Sequence, residues 1–383
     1  MERVIFQDEH AQFRAMTKGF MEREVTPFHE KWEAEGIVSR DVWLAAGAAG
    51  LLGMDVPEEF GGGGTPDFRY QAILDEEMAA CGATGPGFAL QNDVMAPYLL
   101  RLCDADQRGR WLPGFCSGEL ISAIAMTEPD TGSDLKGIRT RATRDGSNWI
   151  LNGQKTFITN GILADFVVVV ARTDDGTGSR QFSLLVVERG AAGFERGRNL
   201  AKTGMHAQDT AELSFTDVRV PAENMLGDEG RGFVYLMENL PRERLSIAVT
   251  ATAAAEYVLG MTTEYCRSRK AFGQRIGDFQ NTRFVLAECA TQIAVTRAFV
   301  DQSITALNDA SLSPTDAAMA KWWSTEMLNT IVGRCVQLHG GYGYMSEYPI
   351  AKAFIDAKVS TIFGGTTEIM KEIIGRQVVG IER

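Results

Sequence analysis

The spacing of apolar residues changes period twice along this chain, so no single kind of layer can hold all of it. Up to about residue 118 the period is helical. Phe13, Met16 and Phe20 recur three and four residues apart, and that run is expected to end at Thr26-Pro27. Ser39 suits the cap of a helix through Val42, Trp43 and Leu51-Leu52, with Gly53 closing it. Residues 61–64 read as a glycine loop, and further helices are expected over about 67–80, 87–102 and 105–116. From about 119 to 227 the texture is β. Strands are expected at 120–126, 139–144, 149–151, 155–159, 166–172, 182–188 and 212–215, with Asp145-Gly146 as a hairpin signal. Short strands at this spacing suggest a small barrel or sandwich.

From about 230 the helical period returns. Pro241 suits a first helical position, in a run to about 269. A second helix is expected over 278–309. A third starts at Ser313-Pro314 and ends at Gly340-Gly341, and a short one follows Thr366-Thr367-Glu368. The fold class is therefore mostly α with a β insert: an N-terminal helical domain (1–120), a middle β domain of barrel type (121–229) and a C-terminal helical bundle (230–383). A length of 383 residues suits two or three domains, at about 100–200 residues each.

Charge and composition exclude several function classes. The 38 basic and 50 acidic residues leave a formal net charge of −12, which repels a phosphate backbone, so no nucleic-acid partner is expected. Residues 1–20 carry charges throughout, which argues against a secretory signal and for a cytoplasmic location. The apolar stretches near 42–54 and 166–171 fall short of the roughly 18 residues of a membrane span. Six scattered cysteines form no CxxC pair, and four histidines show no metal-ligand spacing, so no metal site is expected. No Walker loop or nucleophile elbow occurs. Gly341-Tyr342-Gly343 follows a helix and lacks the third glycine of a dinucleotide fingerprint.

Four segments carry chemical information. Ile124–Ser133 (IAMTEPDTGS) leaves a strand for a loop rich in hydroxyls and backbone donors, suited to a polar ring edge and a phosphate. Phe157-Ile158-Thr159-Asn160-Gly161 ends a strand with an aromatic and a hydroxyl. Arg267-Ser268-Arg269-Lys270-Ala271-Phe272 is basic, near a helix end, and suits pyrophosphate. The fourth pairs Gln337-Leu338-His339-Gly340-Gly341 with Ile362-Phe363-Gly364-Gly365-Thr366-Thr367-Glu368, where glycines admit close backbone approach to a ligand. Singly, these read as a turn, a strand end, a solvated helix terminus and a C-cap.

In this order on an α–β–α chain, the segments resemble the acyl-CoA dehydrogenase family of FAD flavoenzymes, over essentially the whole length. Glu238–Leu245 (ENLPRERL) and Met345–Lys352 (MSEYPIAK) look most like its long-chain branch. The resemblance implies that Ile124, Met126, Thr127, Gly132 and Ser133 bind flavin and ribityl groups, Ser133 also lying near the CoA of the substrate. It implies that Phe157, Ile158 and Thr159 pack on the flavin ring. Arg269, Phe272, Gln280, Gln337, Gly340 and Gly341 are implied to hold FAD partly across a subunit boundary, with Thr366 and Glu368 against its adenosine or pyrophosphate. A homotetramer built as a dimer of dimers follows from the same resemblance. Asp130-Thr131 stands where the family usually has Gly-Ala, and Ile355-Asp356 where many members have Arg-Asp.

The catalytic base is where this sequence departs. Most of the family has a glutamate before the Gly-Thr pair, and here that position is Gly364. Either dehydrogenation is lost, as in flavin monooxygenase relatives, or the base comes from elsewhere. The isovaleryl and long-chain branches carry a glutamate in a Glu-Arg-Leu segment, and Glu243-Arg244-Leu245 matches it. The implied chemistry is α,β-dehydrogenation of a saturated long-chain or branched acyl-CoA to the trans-2-enoyl-CoA in fatty-acid β-oxidation. Glu243 would remove the α-proton, and FAD N5 would take the β-hydride. The backbone N–H of Gly364 would donate to the thioester oxygen, with Phe363, Gly365 and Arg244 around the substrate. Electrons would pass to an electron-transfer flavoprotein. An acyl-carrier-protein-linked dehydrogenase of lipid biosynthesis is the alternative. Burial should raise the pKa of Glu243, and a nearby positive helix end should oppose it.

Overall fold

The computed structural model describes residues 3–173 and 182–381. Helix α1 (Asp8–Phe20) does not stop before Pro27. It passes through a π-helical turn (Met21–Val25) into α2 (Thr26–Glu35), where Pro27 takes a first-turn position whose missing N–H needs no partner. Gly36, at φ 75°, ends α2. Ser39 caps α3 (Arg40–Ala48) by accepting from the Asp41 N–H. Leu51 and Leu52 lie beyond α3, buried, because the chain turns at Gly50 and Gly53, both at positive φ. Asn92 holds that turn, accepting from the Gly53 N–H and donating to the Leu51 carbonyl, both at 2.8 Å.

Helix α4 (Phe68–Ala80) follows the glycine loop. The helix expected over 87–102 is interrupted by a π-helical stretch (Leu90–Met95) before α5 (Ala96–Leu102), and α6 (Ala105–Ser117) is capped by Asp104.

The middle strands are β1 (Ser122–Ala125), β2 (Arg141–Asp145), β3 (Asn148–Thr159), β4 (Phe166–Arg172), β5 (Phe182–Glu188), β6 (Phe194–Asn199), β7 (Thr210–Pro221) and β8 (Met225–Leu226). They pair in the order β6-β7-β3-β2-β4-β5-β8, with β1 parallel to β4. Asp145 faces Asn148 across the β2–β3 hairpin, as its Asp-Gly predicts. β3 is one strand where the sequence suggests two, because bulges at 151/153 and 155/158 break its alternation without ending it. β6 is unforeseen: its FERGRN sequence is polar and only half-buried. β4 is buried on both faces. Val167 and Val169 enter the sheet's own core with Trp149, Leu151 and Leu213, while Phe166 and Val168 meet Trp111 and Phe115 of α6.

The C-terminal part begins with α7 (Gly232–Ser268), followed by a small hairpin of β9 (Lys270–Ala271) and β10 (Gln274–Arg275). Then come α8 (Gln280–Asn308), α9 (Pro314–His339), α10 (Pro349–Ala357) and α11 (Thr367–Val379). Pro241 lies inside α7 and does not start it, since the helix begins nine residues earlier at Gly232. By length and composition α7 reaches what a membrane span requires, which the stretches noted in the sequence do not. Its apolar residues are instead placed in protein: Leu245, Ala248 and Val249 pack with Phe68 and Ala72 of α4, and Ala255 and Val258 with Ile331 and Val332 of α9. This one helix thus joins the N-terminal helices to the C-terminal bundle.

Candidate active site

Glu243 sits at the centre of this junction, three turns into α7 and buried. Asn239, one turn earlier on the same face, donates to Glu243 Oε1 at 3.1 Å. The Tyr98 hydroxyl of α5 donates to the same oxygen at 3.2 Å. Asn239 also donates to the Val94 carbonyl at 3.2 Å. The π-helical stretch ahead of α5 therefore grips the helix that carries the carboxylate. Burial pushes the Glu243 carboxyl above the usual carboxylate range, and the Asn239 and Tyr98 donors and the Arg244 charge oppose it. The expected opposition from a helix end does not arise, because the start of α7 is three turns away.

On the next turn the Ser246 hydroxyl lies 2.8 Å from Asp75 Oδ2 and 2.6 Å from Asp93 Oδ2, with both aspartates buried. A hydroxyl has one hydrogen to give, so it serves both oxygens only if one carboxyl is protonated. Burial beside Asp93 raises Asp75 well above its ordinary value and makes it the proton holder.

Arg244, next to Glu243, reaches the glycine loop at the end of the chain: its Nε lies 3.4 Å from the Gly364 carbonyl oxygen. Gly364 and Gly365 have φ of 65° and 102°, so the loop turns where residues with a Cβ are strained. A Cβ at Gly364 would lie 2.3 Å from Ile247 Cδ1. The space that a side chain at 364 would enter is thus filled from α7, one turn after Glu243. The Gly364 N–H has no backbone partner among the described residues. Thr366 caps α11, and Phe363 is exposed beside the loop.

The segments expected to cradle a flavin come together. Thr156 N–H donates to the Thr127 carbonyl at 2.9 Å, and Lys155 Nζ donates to the Met126 carbonyl at 3.0 Å. Lys155 is fully buried and also meets Glu128 at 2.9 Å, while Glu128 accepts from the Arg139 and Thr140 amides. Burial lowers Lys155 to about 8, against the pull of Glu128. The turn holding Asp130-Thr131 is closed by Glu128 and Thr131, each N–H donating to the other's carbonyl at 2.8 and 3.0 Å, so the departure from Gly-Ala is accommodated. Phe157 stands in the second bulge of β3 at φ 60° with its ring 68% exposed. Ile158 points into the core, Thr159 ends the strand half-exposed, and Ile124 and Met126 are half-buried. An outward aromatic beside a donor-rich loop fits a planar polar ring, so these residues fit FAD.

The basic segment and the end of α9 also meet. Arg269 lies over the Tyr342 ring at 5.4 Å, and Tyr265 stacks on His339 at 4.3 Å while donating to its carbonyl. Phe272 is 96% exposed at φ 53°, and Gln280, Gln337, Gly340, Gly341 and Glu368 are exposed. No hydrogen bond, ion pair or ring contact among the described residues joins this group to the 124–133 loop. Tyr98, Asn239, Ile247 and Lys155 are absent from the sequence-level expectations. Asn239 alone has a local signal, its i−4 spacing from Glu243, which a helix start at Pro241 conceals.

Models of the acyl-CoA dehydrogenase N-terminal, middle and C-terminal domains match residues 7–119, 123–218 and 230–379. The mitochondrial long-chain specific acyl-CoA dehydrogenase of Rattus norvegicus is 50% identical over 379 residues, covering 98% of this chain and 88% of its own. The crystal structure of an acyl-CoA dehydrogenase from Geobacillus kaustophilus is 48% identical with a TM-score of 0.96, over 98% of this chain and 100% of that one. A chain from the electron transferring flavoprotein structure of Acidaminococcus fermentans is 33% identical with a TM-score of 0.92, over 98% of both.

Proposed function

Because the chain belongs to the acyl-CoA dehydrogenase family, an FAD-dependent group of oxidoreductases, we propose that it converts a saturated long-chain or branched fatty acyl-CoA to the trans-2-enoyl-CoA, with Glu243 as the base. The observation that carries this reading is the buried carboxylate of Glu243, bonded to Tyr98 and Asn239, beside a loop whose glutamate position is Gly364.

The α-hydrogen of a thioester is a weak acid, so its removal needs a base with little competing water. Glu243 supplies it. Burial raises the affinity of Glu243 for a proton and so strengthens it as a base, and the Tyr98 and Asn239 donors oppose that rise. Both donors sit on one oxygen, which leaves the other carboxylate oxygen to take the α-proton. Negative charge then develops on the thioester oxygen, and the Gly364 N–H is the donor offered to it. That role needs only backbone, so it survives the absence of a side chain at 364. The chemistry that a bound FAD would supply at this site is that of acceptor for the β-hydrogen and its electron pair. Met126, Thr127, Ser133, Phe157 and Thr159 would hold its ring end. Thr366 and Glu368, with Arg269, Phe272, Gln280, Gln337, Gly340 and Gly341 of a neighbouring protomer, would hold the rest.

An electron-transfer flavoprotein is the proposed acceptor of the electrons. The likeness to a chain of a structure described by that name supports this reading. Anaerobic mixing with acyl-CoAs of graded length tests the assignment, with the same acyl groups on acyl carrier protein as a second arm. The long-chain acyl-CoA is expected to bleach the flavin absorbance. Glu243→Gln should keep its FAD yet bleach about 10²–10⁴ times more slowly. Wild-type bleaching in that variant would remove Glu243 from the role.

A further inference from the structure

Lys321 of α9 is fully buried, yet none of the motifs draws on it. Its Nζ donates to the Gly365 carbonyl at 2.6 Å. No carboxylate pairs directly with it among the described residues. Glu326 and Glu368 attract it only through the field, Arg244 repels it, and the Glu326 carboxylate is already bonded to Thr367 Oγ1 at 2.6 Å. A buried ammonium held by a carbonyl alone is an expensive arrangement for a purely structural tie. Its position suggests what offsets the expense. Arg244 holds the carbonyl of Gly364 and Lys321 that of Gly365, so cations from two helices grip the two consecutive peptides that follow the Gly364 N–H. Each carbonyl is held by a cation, so two positive charges stand beside the loop whose Gly364 N–H is the donor proposed for the developing negative charge.

We propose that Lys321 is a positioning residue for the dehydrogenation: its ammonium orients the Gly364–Gly365 loop and supplies the positive field that stabilises the enolate at the Gly364 N–H. This deepens the proposed function and rests on it. The ammonium is useful only while charged. Burial, then the Arg244 charge, lowers Lys321 to about 8, with Glu326 and Glu368 opposing. As pH rises through that value the loop loses one of its two cations. The folded protein is not destabilised by this loss, because a lysine whose pKa is depressed on folding contributes more favourably once neutral. Activity and stability therefore part company above pH 8.

The test uses Lys321→Met and Lys321→Arg in the FAD-loaded protein, with circular dichroism and flavin content as controls. A bound 3-oxoacyl-CoA, whose enolate absorbs in the ultraviolet, reports the acidity of the α-carbon at the site. Lys321→Met is expected to weaken that acidity about tenfold and lower kcat by about 10–100-fold with KM within about threefold, and Lys321→Arg to restore most of both. Unchanged acidity and kcat in a folded Lys321→Met would overturn the proposal. If Lys321→Met does not fold, the pH profiles decide. Wild-type kcat should fall above about pH 8 while Lys321→Arg holds its activity, and a shared alkaline limb would equally overturn it. Failure of the underlying reading looks different: the wild-type enzyme itself would then leave the bound 3-oxoacyl-CoA no more acidic than in water.

Discussion

Glu243 depends on its neighbours as much as on its own chemistry. Burial pushes the carboxyl towards its protonated form, and the Tyr98 and Asn239 donors work against that. Removing either donor should raise its pKa further, so the acid limb of kcat/KM should move to higher pH. A charged hydrogen bond contributes roughly 1.5–3 kcal/mol. Tyr98→Phe is therefore expected to lower kcat/KM at neutral pH by about tenfold, with part of the loss recovered as pH rises. An acid limb that stays in place would show that Tyr98 does not tune the base. The proposed base is argued from the sequence, through the absence of glutamate at 364 and its presence at 243. Tyr98 is not, since 145 residues separate it from Glu243 and no spacing rule links them. Ile247 is equally silent as a sequence and becomes meaningful only when its side chain fills the space beside Gly364.

Among the elements, α7 shows where local signals mislead. Pro241 lacks the N–H that would bond the Met237 carbonyl, and a proline there normally argues for a helix start. The helix runs through it because Leu236, Leu240 and Leu245 are buried on both sides, and tertiary packing outweighs one missing bond. Pro241→Ala should remove the cost of a mid-helix proline, ~3 kcal/mol for the missing bond and the ring's clash together, and lose ~1 kcal/mol through a freer unfolded chain. The net ~2 kcal/mol should raise Tm by a few degrees, measured by calorimetry on the FAD-loaded protein. A lower Tm would mean that the surrounding packing needs the proline's shape. Caps are read more reliably: Ser39, Ser313 and Thr366 each accept from a backbone N–H at the start of the helix they announce. The π-helical stretches at Met21–Val25 and Leu90–Met95 have no such local mark.

For the whole molecule, the net charge of −12 and the exposed aromatic groups describe two kinds of surface. Phe272, Tyr344, Phe284 and Trp323 are large apolar side chains exposed on the C-terminal part, Phe272 within the basic segment that holds Arg269. Exposed aromatic groups are suited to cover by a partner, and the tetramer that the resemblance implies, in which Phe272 and Arg269 would complete a neighbour's FAD site, would supply it. Sedimentation of the FAD-loaded protein should give a mass about four times that of the 41.9 kDa chain. A monomer that retains FAD would remove the shared-site reading.

What the sequence determined by itself is the α–β–α order, most helix starts and the motifs by which the family is recognised. These are written in periods, caps and motifs, and each acts over a few residues. Only the tertiary structure decided that α7 runs through Pro241. It also decided that Tyr98 and Asn239 meet on one oxygen of Glu243, and that Lys321 and Arg244 converge on the glycine loop. Those meetings depend on which buried faces pack together, and packing energy is summed over residues far apart in the chain, so no local pattern records it.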